Sequence, residues 1–129
     1  MSKRVSVHPT QAELEVLAIL WRRGASTVRQ VHDALQLDRR TGLTTTLKII
    51  QHMDAKGLVK RSPDRPSRYS ALVSEQKTQA GLLSDLLKRA FGGSMHKLLV
   101  RAVEDVGADD AECAQLMELI RSRRQKKER

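Results

Sequence analysis

The sequence predicts a mainly α chain carrying one small β-hairpin, and three observations predict it. Between Thr10 and Gly57 apolar residues recur at helical spacing in three short blocks, each opened by a capping signal or closed by a glycine. Two β-compatible runs then follow, Leu58 to Arg61 and Ser67 to Val73, on either side of Ser62-Pro63-Asp64-Arg65-Pro66. Beyond Val73 the helical spacing returns and reaches the C-terminal tail.

The first helix opens at Thr10, where Thr10-Gln11-Ala12-Glu13 has the spacing of a capping box, each side chain satisfying the other residue's free N–H. Leu14, Leu17, Ala18 and Trp21 recur on one face as its expected core side, and Gly24 stops it. Thr27 and Gln30 repeat the capping spacing for a second helix with the apolar stripe Val28, Val31 and Leu35, and the polar stretch Asp38 to Gly42 breaks it. The third helix is Thr44 to Gly57. At about 100° per residue, Thr44, Thr45, Lys48, Gln51, His52 and Ala55 share one arc, while Leu47, Ile49, Ile50 and Met53 are expected to face the core. The two extended runs read as a hairpin whose turn, lacking Asn-Gly, is longer than two residues. Three helices followed by a basic hairpin is the order of a winged helix-turn-helix domain, placed at residues 1–73.

The remainder, 74–129, reads as a helical dimerisation domain with a basic tail. Ser74 caps a helix bearing Leu82, Leu83, Leu86, Leu87 and Ala90, ended by Gly92-Gly93. A second piece carries Met95, Leu98, Leu99, Ala102, Val103 and Val106, and Gly107 separates it from a third that starts at Asp109 with a capping spacing to Glu112. Three short helices with paired leucines expose more apolar surface than one small domain covers, and a two-fold dimer would bury it. The tail from Arg121 to Arg129 reads as a frayed, solvated terminus in preference to a second DNA contact.

Composition narrows the function. The chain has 129 residues, 40% of them apolar, enough for one core, and a formal net charge of +9, which favours a polyanionic partner. Most of the excess positive charge precedes Leu72, whereas Val73 to Ile120 is net acidic. A single cysteine, Cys113, excludes an internal disulfide framework and multi-cysteine metal sites, and reads as a small buried hydrophobe. His8, His32, His52 and His96 share no ligand spacing with one another or with Cys113, so no metal and no cofactor is expected. No apolar run is long enough for a membrane span and no signal peptide follows Lys3 and Arg4, so the expected setting is the cytoplasm, without membrane insertion. No nucleophile-base-acid pattern, phosphate-binding glycine loop or H-E-x-x-H occurs, so an enzyme is not expected.

Duplex DNA is the expected partner, and the third helix its reader. Thr44 and Thr45 at the helix start are placed to meet phosphate oxygens or a thymine methyl, and Lys48 to reach a guanine edge or a phosphate. Gln51 and His52, farther along, meet the backbone or nothing. Lys60, Arg61, Arg65 and Arg68 in the hairpin supply cations for phosphates, which gives affinity without sequence information. Trp21 reads as a core anchor and Tyr69 as packing across the hairpin. The competing reading is a winged-helix protein-interaction module that does not bind DNA directly.

These segments resemble a known family, the penicillinase and methicillin-resistance repressors (BlaI/MecI), with copper-responsive relatives (CopY). The resemblance is carried by PTQAELEVLAILWRRG at 9–24, STVRQVHDAL at 26–35, TTTLKIIQHMDAKGLVKR at 44–61, RYSALVS at 68–74 and LLKRAFGGS at 86–94. It implies a winged-helix N-terminal domain, a helical C-terminal dimerisation domain, and repression by a homodimer on a palindromic promoter operator. It also implies release through a membrane sensor protease system acting indirectly, by cleavage at an Asn-Phe bond. Alignment through LLVRAVED puts that position at Arg101-Ala102, where the Asn-Phe pair is absent, and the C-x-C cluster of copper-responsive members is absent too.

Overall fold

A computed structural model describes residues 8–36 and 42–128. In chain order the elements are α1 (Gln11–Arg23), β1 (Ser26–Thr27), α2 (Val28–Leu35), α3 (Leu43–Lys56), β2 (Val59–Arg61), β3 (Arg68–Ala71), α4 (Glu75–Ala90), α5 (Met95–Arg101), a π-helical stretch Ala102–Val106, and α6 (Asp110–Glu128). The fold is a winged helix-turn-helix with further helices after it. The chain divides into two compact units, Met1–Leu83 and Ser84–Arg129, the division falling within α4.

Both expected capping boxes form. Thr10 Oγ1 accepts from the Glu13 N–H while Glu13 Oε1 accepts from the Thr10 N–H, and Thr27 and Gln30 repeat the exchange at α2. Gly57 ends α3 at φ 82°, a left-handed conformation that lets its N–H close on Met53 and Asp54 carbonyls. The polar stretch expected to break α2 lies mostly outside the described residues, which resume at Gly42.

The core of the first unit is the cluster Val16, Leu17, Ile19, Leu20, Val31, Leu35, Ile50, Met53, Leu58, Val59 and Tyr69. Each such side chain, fully buried, stabilises by roughly 1.5–3 kcal/mol relative to exposure. On α1 the buried face differs from the expected one: Ala18 is exposed and Leu14 only half-buried, while Val16, Ile19 and Leu20 join Leu17 inside. The helix is rotated because it is wedged between α2, α3 and β3. Trp21 lies at the margin, half-buried, its Nε1–H donating to the Val73 carbonyl at 3.0 Å.

The sheet has one strand more than the hairpin alone. β3 pairs antiparallel with β2 (Val59↔Ala71, Lys60↔Ser70, Arg61↔Tyr69) and on its other edge with β1 (Ser26↔Tyr69, Thr27↔Arg68). Two residues carry no periodic signal, so β1 was not foreseen. Its role is to tie the start of α2 to the hairpin, and thus the wing to the helical core.

In the second part, Ser74 and Ser94 cap α4 and α5 by accepting the Lys77 and Lys97 N–H groups, and Asp109 accepts the Glu112 N–H at 2.8 Å. The tail is not frayed: α6 stays helical through Glu128, its described side chains solvent-exposed. Cys113 is half-exposed and not core. Among the described residues none beyond Tyr69 is fully buried.

One charge sits inside the first unit. Glu13 is 5% exposed, and its Oε1 accepts from Lys56 Nζ at 2.7 Å, linking the start of α1 to the end of α3. Burial alone pushes this carboxyl up, but Lys56 and the Thr10 hydrogen bonds outweigh burial and hold it below 4.5. A carboxyl depressed in the folded state adds stability above its unfolded value and loses it as pH falls through the folded value. Lys56→Met, which strands the buried carboxylate, is therefore expected to cost about 2 kcal/mol near neutral pH. Urea titrations should show this deficit shrinking as the pH falls through the carboxylate range, since the stranded Glu13 of the variant takes up its proton before the paired Glu13 of the wild type does. A deficit independent of pH would refute the ion pair's contribution.

Candidate nucleic-acid interface

Helix α3 owes its orientation to the residues it buries. Thr46, Ile50 and Met53 point inward, with Ile49 half-buried beside them. Thr44, Thr45, Lys48, Gln51 and His52 are consequently all exposed, on the arc opposite that stripe. The inward set corrects the sequence-based one. Leu47, expected in the core, is 37% exposed, and Thr46 takes the core position with no exposed surface. Thr46 is admitted because its hydroxyl is satisfied: it donates to the Gly42 carbonyl at 3.3 Å and lies 3.4 Å from His32 Nδ1 on α2. The signal for it was faint, a threonine one helical turn past a glycine.

The N-terminus of α3 differs from those of α1 and α2. Gly42 occupies the cap with no side-chain hydrogen bond. Among the described residues no side chain caps the first-turn N–H groups, which lie at the positive end of the helix dipole beside Thr44 and Thr45. This end suits an approaching phosphate.

The wing presents its cations on β2, β3 and the braced loop between them. Ser62 Oγ accepts from the Arg68 N–H at 2.9 Å and the Ser62 N–H donates to the Arg68 carbonyl at 2.8 Å, closing the hairpin. Arg61 Nε donates to Ser67 Oγ at 3.0 Å, and Ser67 donates to the Asp64 carbonyl at 3.3 Å. Strand pairing sets Lys60 opposite Ser70, so Lys60 and Arg68 share one sheet face, whereas Arg61 is opposite Tyr69. Tyr69 is buried, so the wing is anchored to the core through the ring it was expected to pack. Lys48, Lys60, Arg61, Arg65 and Arg68 are all exposed, and among the described residues none is in an ion pair. Their charge is free for an external anion. Ser62 and Ser67 are the wing residues that sequence reasoning passed over.

Arg101 and Ala102 lie elsewhere, at the junction of α5 and the π-helical stretch. Arg101 pairs with Glu104 at 2.8 Å and with Asp105 at 2.9 Å, and the bond between them is within helical backbone. Among the described residues no cluster of three His, Cys, Asp or Glu could hold a metal ion.

Residues 9–122 match the family described as penicillinase repressor. The chain is 40% identical over 103 residues to the transcriptional regulator BlaI of Mycobacterium tuberculosis, covering 78% of this chain and 75% of that one. It is 23% identical over 106 residues to the methicillin resistance regulatory protein MecI of Staphylococcus aureus, covering 80% and 86%. Among solved structures, a MarR family protein from Bacillus stearothermophilus superposes with a TM-score of 0.51 at 21% identity, over 93% of this chain and 76% of that one. Another MarR family transcription regulator reaches 0.52 at 18% identity, over 90% and 70%. The solved structures share the fold.

Because Thr46 fixes α3 through polar bonds inside the core, Thr46→Val keeps the shape and removes the hydroxyl. The expected cost is about 1 kcal/mol of stability, read as a lowered midpoint of thermal unfolding followed by Trp21 fluorescence. An unchanged midpoint would show that the hydroxyl bonds contribute nothing net.

Proposed function

The chain belongs to the penicillinase repressor family of transcriptional regulators, and from that premise we propose that it is a homodimeric repressor occupying a palindromic promoter operator. In this reading residues 1–73 bind DNA and residues 74–129 dimerise. The observation that carries it is the exposed arc of α3, Thr44, Thr45 and Lys48 at its reading end, set beside wing cations that form no ion pair among the described residues. Thr44, Thr45 and Lys48 meet base edges and nearby phosphates in the major groove. Gln51 and His52 reach the backbone at most. Lys60, Arg61, Arg65 and Arg68 neutralise phosphates beside it.

Dimerisation is supported by what the later helices lack. Leu83, Leu86, Met95, Leu99, Val103, Val106, Leu116, Met117, Leu119 and Ile120 are exposed, and no residue of α4 or α5 is buried. A second copy would cover this apolar surface and pair two recognition helices with two half-sites. Among the described residues no helix is long and apolar enough to cross a membrane, and an operator-binding protein works in the cytoplasm. Release through a membrane sensor protease system would act indirectly and would have to open helical backbone at Arg101-Ala102, since proteases take extended chain.

Electrophoretic mobility shifts on the promoter of the protein's own operon test the reading. Lys48→Ala, Arg65→Ala and Arg68→Ala combined are expected to reduce affinity by more than tenfold without changing the unfolding midpoint. The log-log salt slope of the wild type should be about 0.9 per phosphate contacted, and smaller in the triple variant. Full affinity in the triple variant would sink groove binding, and a monomer in sedimentation equilibrium at the binding concentration would sink the dimer. Salt-tolerant capture of a protein with no DNA footprint would favour an interaction module.

A further inference from the structure

The polar arc of α3 has an apolar border. Leu43 is 40% exposed and Leu47 37% exposed, one helical turn apart, so they form a short ridge along the helix. On the helical wheel Leu47 lies about 60° from Thr44 and about 40° from Gln51. The ridge thus runs along the same N-terminal turns that carry Thr44, Thr45 and Lys48.

Stability does not ask for this arrangement. At adjacent positions the chain buries a hydroxyl, Thr46, and exposes an isobutyl group, Leu47. The buried hydroxyl needs the Gly42 carbonyl and His32 to satisfy it, while the leucine beside it leaves 37% of its surface in water. A local inversion of the hydrophobic pattern is the kind of departure that marks a surface kept for binding. The surroundings identify the partner: Lys48 on the same helix and Lys60, Arg61, Arg65 and Arg68 on the wing make this a cationic surface free of ion pairs among the described residues. A polyanion that also offers an isolated apolar group fits both features. In the major groove of duplex DNA that group is the 5-methyl of thymine.

We propose that the Leu43–Leu47 ridge, chiefly Leu47, packs against a thymine 5-methyl in the operator and makes that position selective for thymine. The inference rests on the operator-binding reading and adds a base-reading contact to it. Lys48 and the wing hold the helix in the groove through charge, and Leu47 adds discrimination that salt does not screen.

The test uses the full chain and a duplex pool with a randomised centre, from which the bound site is selected. Each thymine of that site is then replaced in turn by deoxyuridine, which deletes the 5-methyl and leaves base pairing unchanged. For the wild type, at least one position should lose about fourfold in affinity, the worth of one buried methyl. Leu47→Ala and Leu47→Gln, which remove the contact from both half-sites of the dimer, should bind the thymine duplex roughly fifteenfold more weakly and no longer distinguish thymine from uracil there, with unfolding midpoints near that of the wild type. Discrimination that survives both Leu47 substitutions, or that is absent at every thymine in the wild type, overturns the inference and leaves operator binding standing. So does a change in the sedimentation of the Leu47 variants with discrimination intact, which would place Leu47 against a second copy. A pool that yields no enriched duplex overturns operator binding, and the inference with it.

Discussion

The rest of this structure depends on the stripe Thr46, Ile50 and Met53, by which α3 packs into the pocket made by α1, α2 and β2. A helix buried along one stripe has a fixed rotation about its own axis, and that rotation decides which side chains face outward. Gly57 ends α3 in a left-handed turn, Leu58 and Val59 continue into the core, and the wing begins within a few residues. The wing's position is thus inherited from the same packing. β1 adds a second tether, binding β3 from the side of α2. The Glu13–Lys56 bridge closes the arrangement at the far end of α3, where a charge on α1 meets the last turn of the helix. Lys56 also suits the negative end of the α3 dipole.

Much of this architecture was legible in the sequence, because its signals are local. Thr10-x-x-Glu13 and Thr27-x-x-Gln30 specify helix starts through side chains that bond only to backbone three residues away, and both boxes form as written. The hairpin was legible through its alternation and its proline-rich turn. Helix phase was not. Ala18 and Leu47 were assigned to the core on apolarity alone, yet Ala18 and Leu47 are exposed while Thr46 is buried. Periodicity gives the width of an apolar face but its centre is set by neighbours distant in sequence, here the other two helices and the sheet. For Thr46 the deciding partners, the Gly42 carbonyl and His32, are a backbone group and a residue on another helix. The exposed arc was easier to place, since Lys48, Gln51 and His52 have nowhere dry to go.

The C-terminal helices present the opposite case. Two of their starts were legible, at Ser74 and Asp109, and Gly107 punctuates them as expected, whereas the Ser94 cap of α5 was not read from the sequence. Their partners were not, because α4 and α5 bury nothing completely and Val106 is 86% exposed. Local capping can define such helices but cannot hold short ones in water, where helices of this length are marginal without tertiary packing. The basic end of α6 shows the same balance: Arg121 pairs with Glu118 one turn back, and Arg123, Arg124, Lys126 and Lys127 stay solvated along a continuing helix. A basic run near a terminus therefore did not imply fraying, since lysine and arginine are good helix formers and suit the C-terminal end of the dipole.

In the proposed operator-binding reading, affinity and selectivity are carried by different parts of the surface, for a physical reason. The wing cations sit on β2, on β3 and, for Arg65, on the loop between them, braced by Ser62 to Arg68 and Ser67 to Arg61, and project long side chains. Such groups adapt to phosphates, whose spacing hardly varies with sequence, and their contribution falls as salt rises. Base discrimination needs the reverse: short side chains on a rigid element, held to within about half an ångström by packing beneath them. Thr44, Thr45 and Leu47 meet that requirement, because the residue between Thr45 and Leu47 is Thr46, immobilised in the core. Residues that hold the helix in place alternate with residues that face outward along three consecutive positions. A substitution that changes the volume at Thr46 would consequently disturb the outward groups by rotating them, even though Thr46 itself presents nothing to a partner.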